Sequence, residues 1–193
     1  MVWLTALAGC SPEVDWREFQ WEAGRFQVLL PARPADETRE ITLGPNGEWQ
    51  LRLTLFSARV PGAVVAVGYA DLPGISNVPG ISGIPGPLDA AARLRLLAAA
   101  RDGFLKNADA SASNSVPVAL EGQPGAIGLE FRGNVNNAKP GNQPMVIVGR
   151  VYATEQRFYQ LLYVGPSDHR AAQDLDLFLN SLRLTRPVNA IAQ

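Results

Sequence analysis

The side chains that can support chemistry are few in this sequence and widely spaced. His169 is the single histidine, and Asp168 and Asp174 are the carboxylates nearest to it along the chain. A zinc or transition-metal site would need further nitrogen or sulfur ligands, and the chain has one cysteine and no second histidine. A Ser–His nucleophile pair would also have to use His169. We therefore expect His169 to be a solvated residue in the first turn of a helix.

Asp71 and Glu130 are the other candidates, because a glycosidase uses two carboxylates that flank the scissile bond. Their positions in the sequence do not by themselves bring them together. The chain also has no Gly-x-Ser-x-Gly nucleophile elbow and no glycine-rich nucleotide-binding motif. We expect a protein that is not an enzyme and that uses no metal and no cofactor.

Composition is that of an ordinary globular protein. The 193 residues include 17 basic and 18 acidic side chains, and 47% are hydrophobic. Because the charges nearly cancel, no overall field attracts nucleic acid, and we expect no nucleic-acid partner. The length fits one domain with a tail.

The only cysteine follows three small or apolar residues, Leu7-Ala8-Gly9-Cys10. This stretch resembles the lipobox of bacterial lipoproteins, whose cysteine carries acyl chains such as palmitate and becomes the mature N-terminus. The resemblance implies lipidation at Cys10 and attachment to a membrane of the cell envelope. Ser11 resembles the sorting position of lipoproteins held at the periplasmic face of the outer membrane. The alternative is an apolar N-terminus with an inert thiol.

Nine residues are too few for a complete signal peptide, so either the natural start lies upstream of Met1 or the lipobox match is accidental. Elsewhere in the sequence no uncharged apolar run approaches the ~20 residues of a membrane span. Trp16, Phe19 and Trp21 precede the first predicted strand. They are interpreted as clamps on the edge of the core, with a binding platform as the alternative.

Alternating and continuous apolar patterns predict strands at residues 26–30, 38–43, 49–55, 63–70, 116–120, 126–131, 145–153 and 157–164. Asp89 is a predicted helix N-cap, and the helix that follows is expected to bury one side. That side carries Leu94, Leu97, Ala98, Phe104 and Leu105. A second helix is expected to carry Ala171, Leu175, Phe178 and Leu182 at helical spacing. The order predicts an α+β fold, a largely antiparallel sheet with helices packed on it.

Short motifs mark the ends of these elements: Phe26-Gln27-Val28-Leu29-Leu30-Pro31, Tyr69-Ala70-Asp71-Leu72-Pro73, Gly122-Gln123-Pro124-Gly125, Arg150-Val151-Tyr152, Arg157-Phe158-Tyr159-Gln160-Leu161 and Phe178-Leu179-Asn180-Ser181-Leu182-Arg183-Leu184. They are similar to motifs of the PsbP-like superfamily, which includes the extrinsic photosystem II protein, Ran-binding nuclear-import factors and many bacterial envelope proteins. The resemblance covers roughly residues 25–185 and departs at Glu155-Gln156, where relatives carry a glycine-containing turn. It implies an αβα sandwich and a non-enzymatic binding or assembly role.

Two long loops are the predicted sites of partner binding, residues 72–88 and 133–144. The first contains a near-repeat of Pro-Gly-Ile-Ser and four apolar residues, Ile75, Val78, Ile81 and Ile84. Four exposed apolar side chains in a loop of this length would be costly without a partner or the domain's own surface to rest on. The sequence is therefore compatible with a partner surface and with a self-packed or mobile loop.

The resulting interpretation divides the chain into a truncated signal segment (1–10), a tether (11–22), the PsbP-like domain (23–186) and a tail (187–193). It predicts a non-catalytic, lipid-anchored envelope protein that binds a protein partner through residues 72–88 and 133–144. The alternative is a module that binds a small apolar or lipid-like ligand between sheet and helices.

Overall fold

Seven antiparallel strands form the central sheet of the computed structural model, which describes residues 15–72, 88–136, 143–167 and 169–185. In spatial order these strands are β3 (Ala35–Leu43), β4 (Trp49–Val60), β5 (Ala63–Asp71), β9 (Arg157–Pro166), β8 (Met145–Ala153), β7 (Ile127–Val135) and β6 (Ala110–Pro117). A second sheet has the order β1 (Arg17–Trp21), β2 (Phe26–Leu30) and β10 (Arg183–Leu184). The helices are α1 (Ala90–Asn107) and α2 (His169–Leu179). The predicted α+β class is confirmed.

Helix α1 covers one face of the large sheet. It begins as predicted, since the Asp89 side chain accepts a hydrogen bond of 2.6 Å from the amide of Ala92. Its buried positions follow one helical stripe: Ala92, Leu96, Leu97, Ala100 and Leu105. Leu94 was predicted to be on this stripe, but its side chain is 54% exposed. Residues that are two positions apart in a helix are separated by about 200° around its axis, so Leu94 lies opposite the buried Leu96.

Helix α2 and the small sheet together cover the other face. Leu175, Phe178 and Leu179 of α2 are buried against strands of both sheets. The predicted helix continued to Leu182, whereas α2 ends at Leu179. The side chains of Asn180 and Ser181 explain this, because they donate to the backbone carbonyls of Asp176 and Phe178 at 2.8 and 2.7 Å. Leu182 is buried beyond the helix end.

Arg150 on β8 also closes the end of α2. Its Nε donates to Glu130 of β7 at 2.7 Å, and its Nη1 donates to the carbonyl of Leu179 at 2.9 Å and to Asn180 Oδ1 at 2.8 Å. A positive charge on the last carbonyls of a helix is favourable, because these groups have no partner within the helix. One arginine thus joins the large sheet to α2.

Four strands differ from the prediction in ways that matter. Strand β7 continues to Val135, so residues 133–135 of the predicted second loop are strand, paired with β6 and β8. Strand β1 lies within residues 11–22, which were expected to be a tether, and it pairs with β2 along its whole length. Strand β6 begins at Ala110 rather than at residue 116. Its sequence, ASASNSVP, has no apolar alternation, and its strand conformation comes from pairing with β7. Strand β10 has two residues and pairs with β2.

Candidate functional site

A cleft of about 520 Å³ opens at one end of the large sheet. Four chain segments build it: the turn before β2, the β6–β7 connection, the β8–β9 turn and the segment after β10. The lining residues are Arg25, Gly122, Gln123, Gly125, Ala126, Thr154, Glu155, Gln156, Arg157, Tyr159, Leu184 and Thr185. Eight of these twelve residues are polar or charged, so the cleft offers several hydrogen-bonding groups to a polar ligand.

The β8–β9 turn forms one wall and is tight although it has no glycine. The amide of Thr154 donates to the carbonyl of Arg157 at 2.9 Å. The hydroxyl of Thr154 accepts from the amides of Gln156 and Arg157 at 3.2 and 2.9 Å. This threonine satisfies amides that the turn would otherwise leave unpaired. It thereby fixes Glu155 and Gln156 as exposed residues at the rim.

Arg157 lies at the first position of β9, on the floor of the cleft. Its Nε donates to Asp71 Oδ1 at 2.7 Å, and its guanidinium lies 5.5 Å from the centre of the Tyr69 ring. Burial lowers the pKa of Arg157, but the charge of Asp71 and the contact with Tyr159 together raise it by more. The pKa is therefore above its ordinary value. Its Nη1 is buried and has no hydrogen-bond acceptor among the described residues.

Tyr159 and Arg25 also line the cleft. The hydroxyl of Tyr159 donates to the carbonyl of Gly24 at 3.1 Å. Burial raises the pKa of Tyr159, while the positive charges of Arg157 and Arg25 both act to lower it. The hydroxyl therefore stays protonated at neutral pH, and both guanidinium groups are close enough to influence it.

Arg25 has a backbone φ of +53°, a conformation that costs a residue with a Cβ about 1–2 kcal/mol. Two backbone hydrogen bonds hold it there: its amide donates to the carbonyl of Glu22 at 3.0 Å, and its carbonyl accepts from Thr185 at 2.9 Å. The side chain is exposed and forms no ion pair with any described residue. Strain of this kind is frequent where a side chain must be presented to a ligand.

The start of α1 reaches the same end of the sheet. Arg93 Nη1 donates to the carbonyl of Gly125 at 2.8 Å, which ties α1 to the β6–β7 connection. The amide of Leu72 donates to the carbonyl of Gln156 at 2.9 Å. Residue 72, the last before the segment 73–87, therefore lies beside the cleft. Residue 88, the first after that segment, is one position before the N-cap of α1.

The second predicted loop leaves from the opposite end. Asn134 is paired with Val146, and Val146 with Gly165, at the end of the hairpin that lies farthest from the turn at Glu155. Nine residues of antiparallel strand span roughly 30 Å. The two segments that were expected to act together are therefore attached at opposite ends of the sheet.

Several predicted site residues are outside the described part of the chain. Cys10 and the apolar residues Ile75, Val78, Ile81 and Ile84 all lie there, as do residues 137–142 of the second loop. Their predicted roles in lipidation and partner binding remain predictions.

The candidate catalytic carboxylates are separated by the fold. Asp71 is bound to Arg157, and Glu130 to Arg150. They lie on β5 and β7, and two strands stand between them, which corresponds to roughly 14 Å. His169 is the first residue of α2, and Asp174 accepts a hydrogen bond of 3.3 Å from Trp16 Nε1. Within the described ranges, no group of three His, Cys, Asp or Glu residues is placed to hold a metal ion.

Comparison with solved structures identifies the fold. The solution structure of cyanobacterial PsbP (CyanoP) from Synechocystis sp. PCC 6803 superposes with a TM-score of 0.53, covering 94% of this chain and 98% of that chain at 10% sequence identity. The chain has a PsbP-like fold. No family model matches the sequence, and no curated protein matches it significantly. At this identity the likeness concerns architecture alone.

The aromatic residues of β1 belong to the core edge of this PsbP-like domain. The rings of Phe19 and Trp21 lie 4.8 and 4.7 Å from the ring of Phe56, and Trp21 Nε1 donates to the hydroxyl of Tyr69 at 3.4 Å. Their interpretation as clamps agrees with these contacts. Among the helices in the described residues, none combines the length and the apolar character that a membrane crossing needs.

Sequence reasoning did not find the cleft. Arg157 was noted only as a strand residue, and Arg25, Gln123 and Thr185 had no role assigned. Arg25 and Thr185 are joined by a backbone hydrogen bond although 160 positions separate them in the sequence. No pattern in a single sequence reports such a contact. The Gly122–Gly125 turn motif was the one available signal.

Proposed function

We propose that this protein is a non-catalytic binding module of the bacterial envelope, held at the membrane by diacylated Cys10, and that it engages a protein partner at the cleft end of its PsbP-like domain. The observation that carries the proposal is the polar cleft itself. It is open to solvent, it is built from four segments, and the long segment 73–87 is attached beside it.

A binding role is favoured over catalysis because of how the charged groups are used. Asp71 and Glu130 each accept from an arginine, and Tyr159 donates to a backbone carbonyl. These hydrogen bonds stabilise the fold. A general base would instead have to face a bound substrate, and each of these groups faces another part of the fold.

The position of the single cysteine in the sequence supports a lipid anchor. The sole thiol directly follows Leu7-Ala8-Gly9 and lies seven positions before β1. Each buried methylene of an acyl chain contributes about 0.8 kcal/mol, so two chains hold a domain stably where one does not.

The test of the anchor uses the full-length gene, with any upstream residues, expressed in a bacterial host. We expect the protein in the membrane fraction, with an intact mass that shows cleavage and acylation at Cys10. The Cys10→Ser variant should appear in the soluble fraction or as an uncleaved precursor. A free thiol on an uncleaved wild-type chain would contradict the anchor.

The test of the partner surface uses a photo-crosslinking amino acid at either end of the sheet. Gln156 is an exposed residue on the cleft rim, and Arg59 is an exposed residue paired with Val64 at the far end of the sheet. We expect a discrete crosslinked protein from position 156 and none from position 59. The same product from both positions, or from position 59 alone, would contradict a partner surface at the cleft.

The alternative, an apolar or lipid-like ligand between sheet and helices, has less support. The described cleft lies at the end of the sheet and not between sheet and helices, and arginine, glutamine and threonine make up six of its twelve lining residues. An acyl chain there would lie beside charged side chains and would desolvate them.

A further inference from the structure

The cleft contains donors that the fold leaves unused. Arg25 is exposed and has no ion-pair partner in the described residues. Arg157 donates its Nε to Asp71, and its Nη1 is buried without an acceptor, so a ligand reaches Nη1 only if the side chain shifts. Both side chains line the same cleft, together with Tyr159. An arginine with free N–H groups is the side chain best suited to bind a carboxylate or a phosphate.

The charge of the lining indicates which anion fits. Two arginines and one glutamate line the cleft, a net charge of +1. Asp71 already accepts from Arg157 Nε, so Arg25 is the guanidinium whose charge is uncommitted. One such charge balances a carboxylate, whereas a phosphate dianion would leave negative charge uncompensated beside Glu155 and Asp71.

The surrounding groups suit a peptide rather than an isolated ion. Gln123 and Gln156 each bring an amide with donor and acceptor atoms, and Thr185 brings a hydroxyl. Gly122 and Gly125 have no atoms within 4 Å of the position that a Cβ would occupy, so a chain can approach their backbone closely. A cleft of about 520 Å³ has room for two or three residues.

We propose that this cleft binds a carboxylate of a partner polypeptide, with Arg25 as its ion-pair partner and the Gln123 and Gln156 amides as further donors. The proposal rests on the proposed binding role and names the chemistry that the partner must present. The carboxylate belongs either to the C-terminus of the partner or to an acidic side chain.

The experiment is an NMR titration of the ¹⁵N-labelled full chain with four probes. The first is acetyl-alanyl-alanyl-alanine with a free C-terminus, and the second is an amidated peptide of the same length with a central glutamate. The third is the amidated all-alanine peptide, and the fourth is inorganic phosphate. We expect the first or the second probe to shift the amide resonances of Gln156, Arg157 and Thr185, which identifies the source of the carboxylate.

Variants that remove single charges test the role of each charged side chain. Arg25→Gln should weaken binding about threefold to fivefold, the size expected for one exposed ion pair, and Glu155→Gln should tighten it about twofold. Arg59→Gln is the matched control, an exposed arginine at the other end of the sheet, and should change nothing. Melting temperatures of the three variants should equal that of the wild type.

Three results would overturn the assignment: equal shifts with the amidated all-alanine peptide, tighter binding of phosphate than of either carboxylate, or no shift of the cleft amides with any probe. These results would leave the membrane anchor and the photo-crosslinking result at position 156 unaffected. Conversely, loss of the anchor would not change a titration of the purified chain, so the two proposals can fail separately.

Discussion

The two faces of the large sheet are covered in different ways. On one face, α1 packs leucine and alanine side chains against the strands. On the other, α2 and the small sheet enclose a core with many aromatic rings, including Phe26, Phe56, Tyr152, Tyr159 and Phe178. The second cover is assembled from both ends of the described chain, because β10 pairs with β2 and β2 with β1.

The two faces also differ in how buried polar atoms are satisfied. On the aromatic face, Tyr159 donates to Gly24, and Tyr163 donates to the carbonyl of Pro166 at 3.0 Å. On the α1 side, Trp49 Nε1, Arg93 Nε and both polar atoms of the Gln160 side chain have no partner among the described residues, whereas beside the aromatic face this holds for Arg157 Nη1 alone. Unpaired buried polar atoms cost free energy, so we infer that the aromatic face contributes more to stability and the α1 face is the more tolerant of change.

The largest expected effect comes from placing a charge on the aromatic face. Phe178 is fully buried, and Phe178→Asp should lower the free energy of unfolding by roughly 3–5 kcal/mol through lost packing and an unpaired buried charge. Thermal unfolding followed by circular dichroism measures it. Leu177→Asp is the control, because the adjacent Leu177 is 43% exposed. Equal melting temperatures for both variants would show that α2 does not cover the sheet as described.

The strands that come from regular patterns were predictable from the sequence. Alternation at Trp49 to Leu55 located β4, and the continuous apolar run at Met145 predicted β8. Strand β10 was missed because its two residues form a strand only through pairing with the distant β2, whereas β1 forms a hairpin with β2 and was missed because its five residues are too few for a clear alternation. The cleft was missed because its walls also meet through contacts that are distant in the sequence.

Strand β1 provides the next test. A chain that begins at Ala23, the predicted domain boundary, lacks the ring contacts of Phe19 and Trp21. Both side chains are half-buried, so the loss should be roughly 2–3 kcal/mol of unfolding free energy, measured by urea denaturation. A chain that begins at Asp15 is the control and should match the full chain. If both shortened chains unfold at the same urea concentration, residues 17–21 are a tether after all.

Arg150 links the sheet to α2, and its loss should have a smaller effect. Arg150→Met keeps the aliphatic stem but leaves Glu130 and the Leu179 carbonyl without their donor. The pair is partly exposed, with side-chain exposures of 14% and 28%, so we expect a loss of about 2 kcal/mol. The double variant Arg150→Met/Glu130→Leu should regain part of it, because no charge remains unpaired. A double variant that is less stable than Arg150→Met would show that Glu130 has another stabilising role.

The smallest effect, and the one of opposite sign, is expected on the α1 face. Gln160 is 0% exposed, and on this face of β9 it lies between Phe158 and Leu162 and beside Gly68 of β5. A buried amide without partners costs about 1–3 kcal/mol, and methionine has nearly the same length and shape without polar atoms. Gln160→Met should therefore raise the unfolding free energy by about 1 kcal/mol, a melting temperature about 2–4 °C higher. Gln20→Met on exposed β1 is the control and should change neither quantity. A loss of stability in Gln160→Met would mean that bound water satisfies the amide, and the α1 face would then be as fully hydrogen-bonded as the aromatic one.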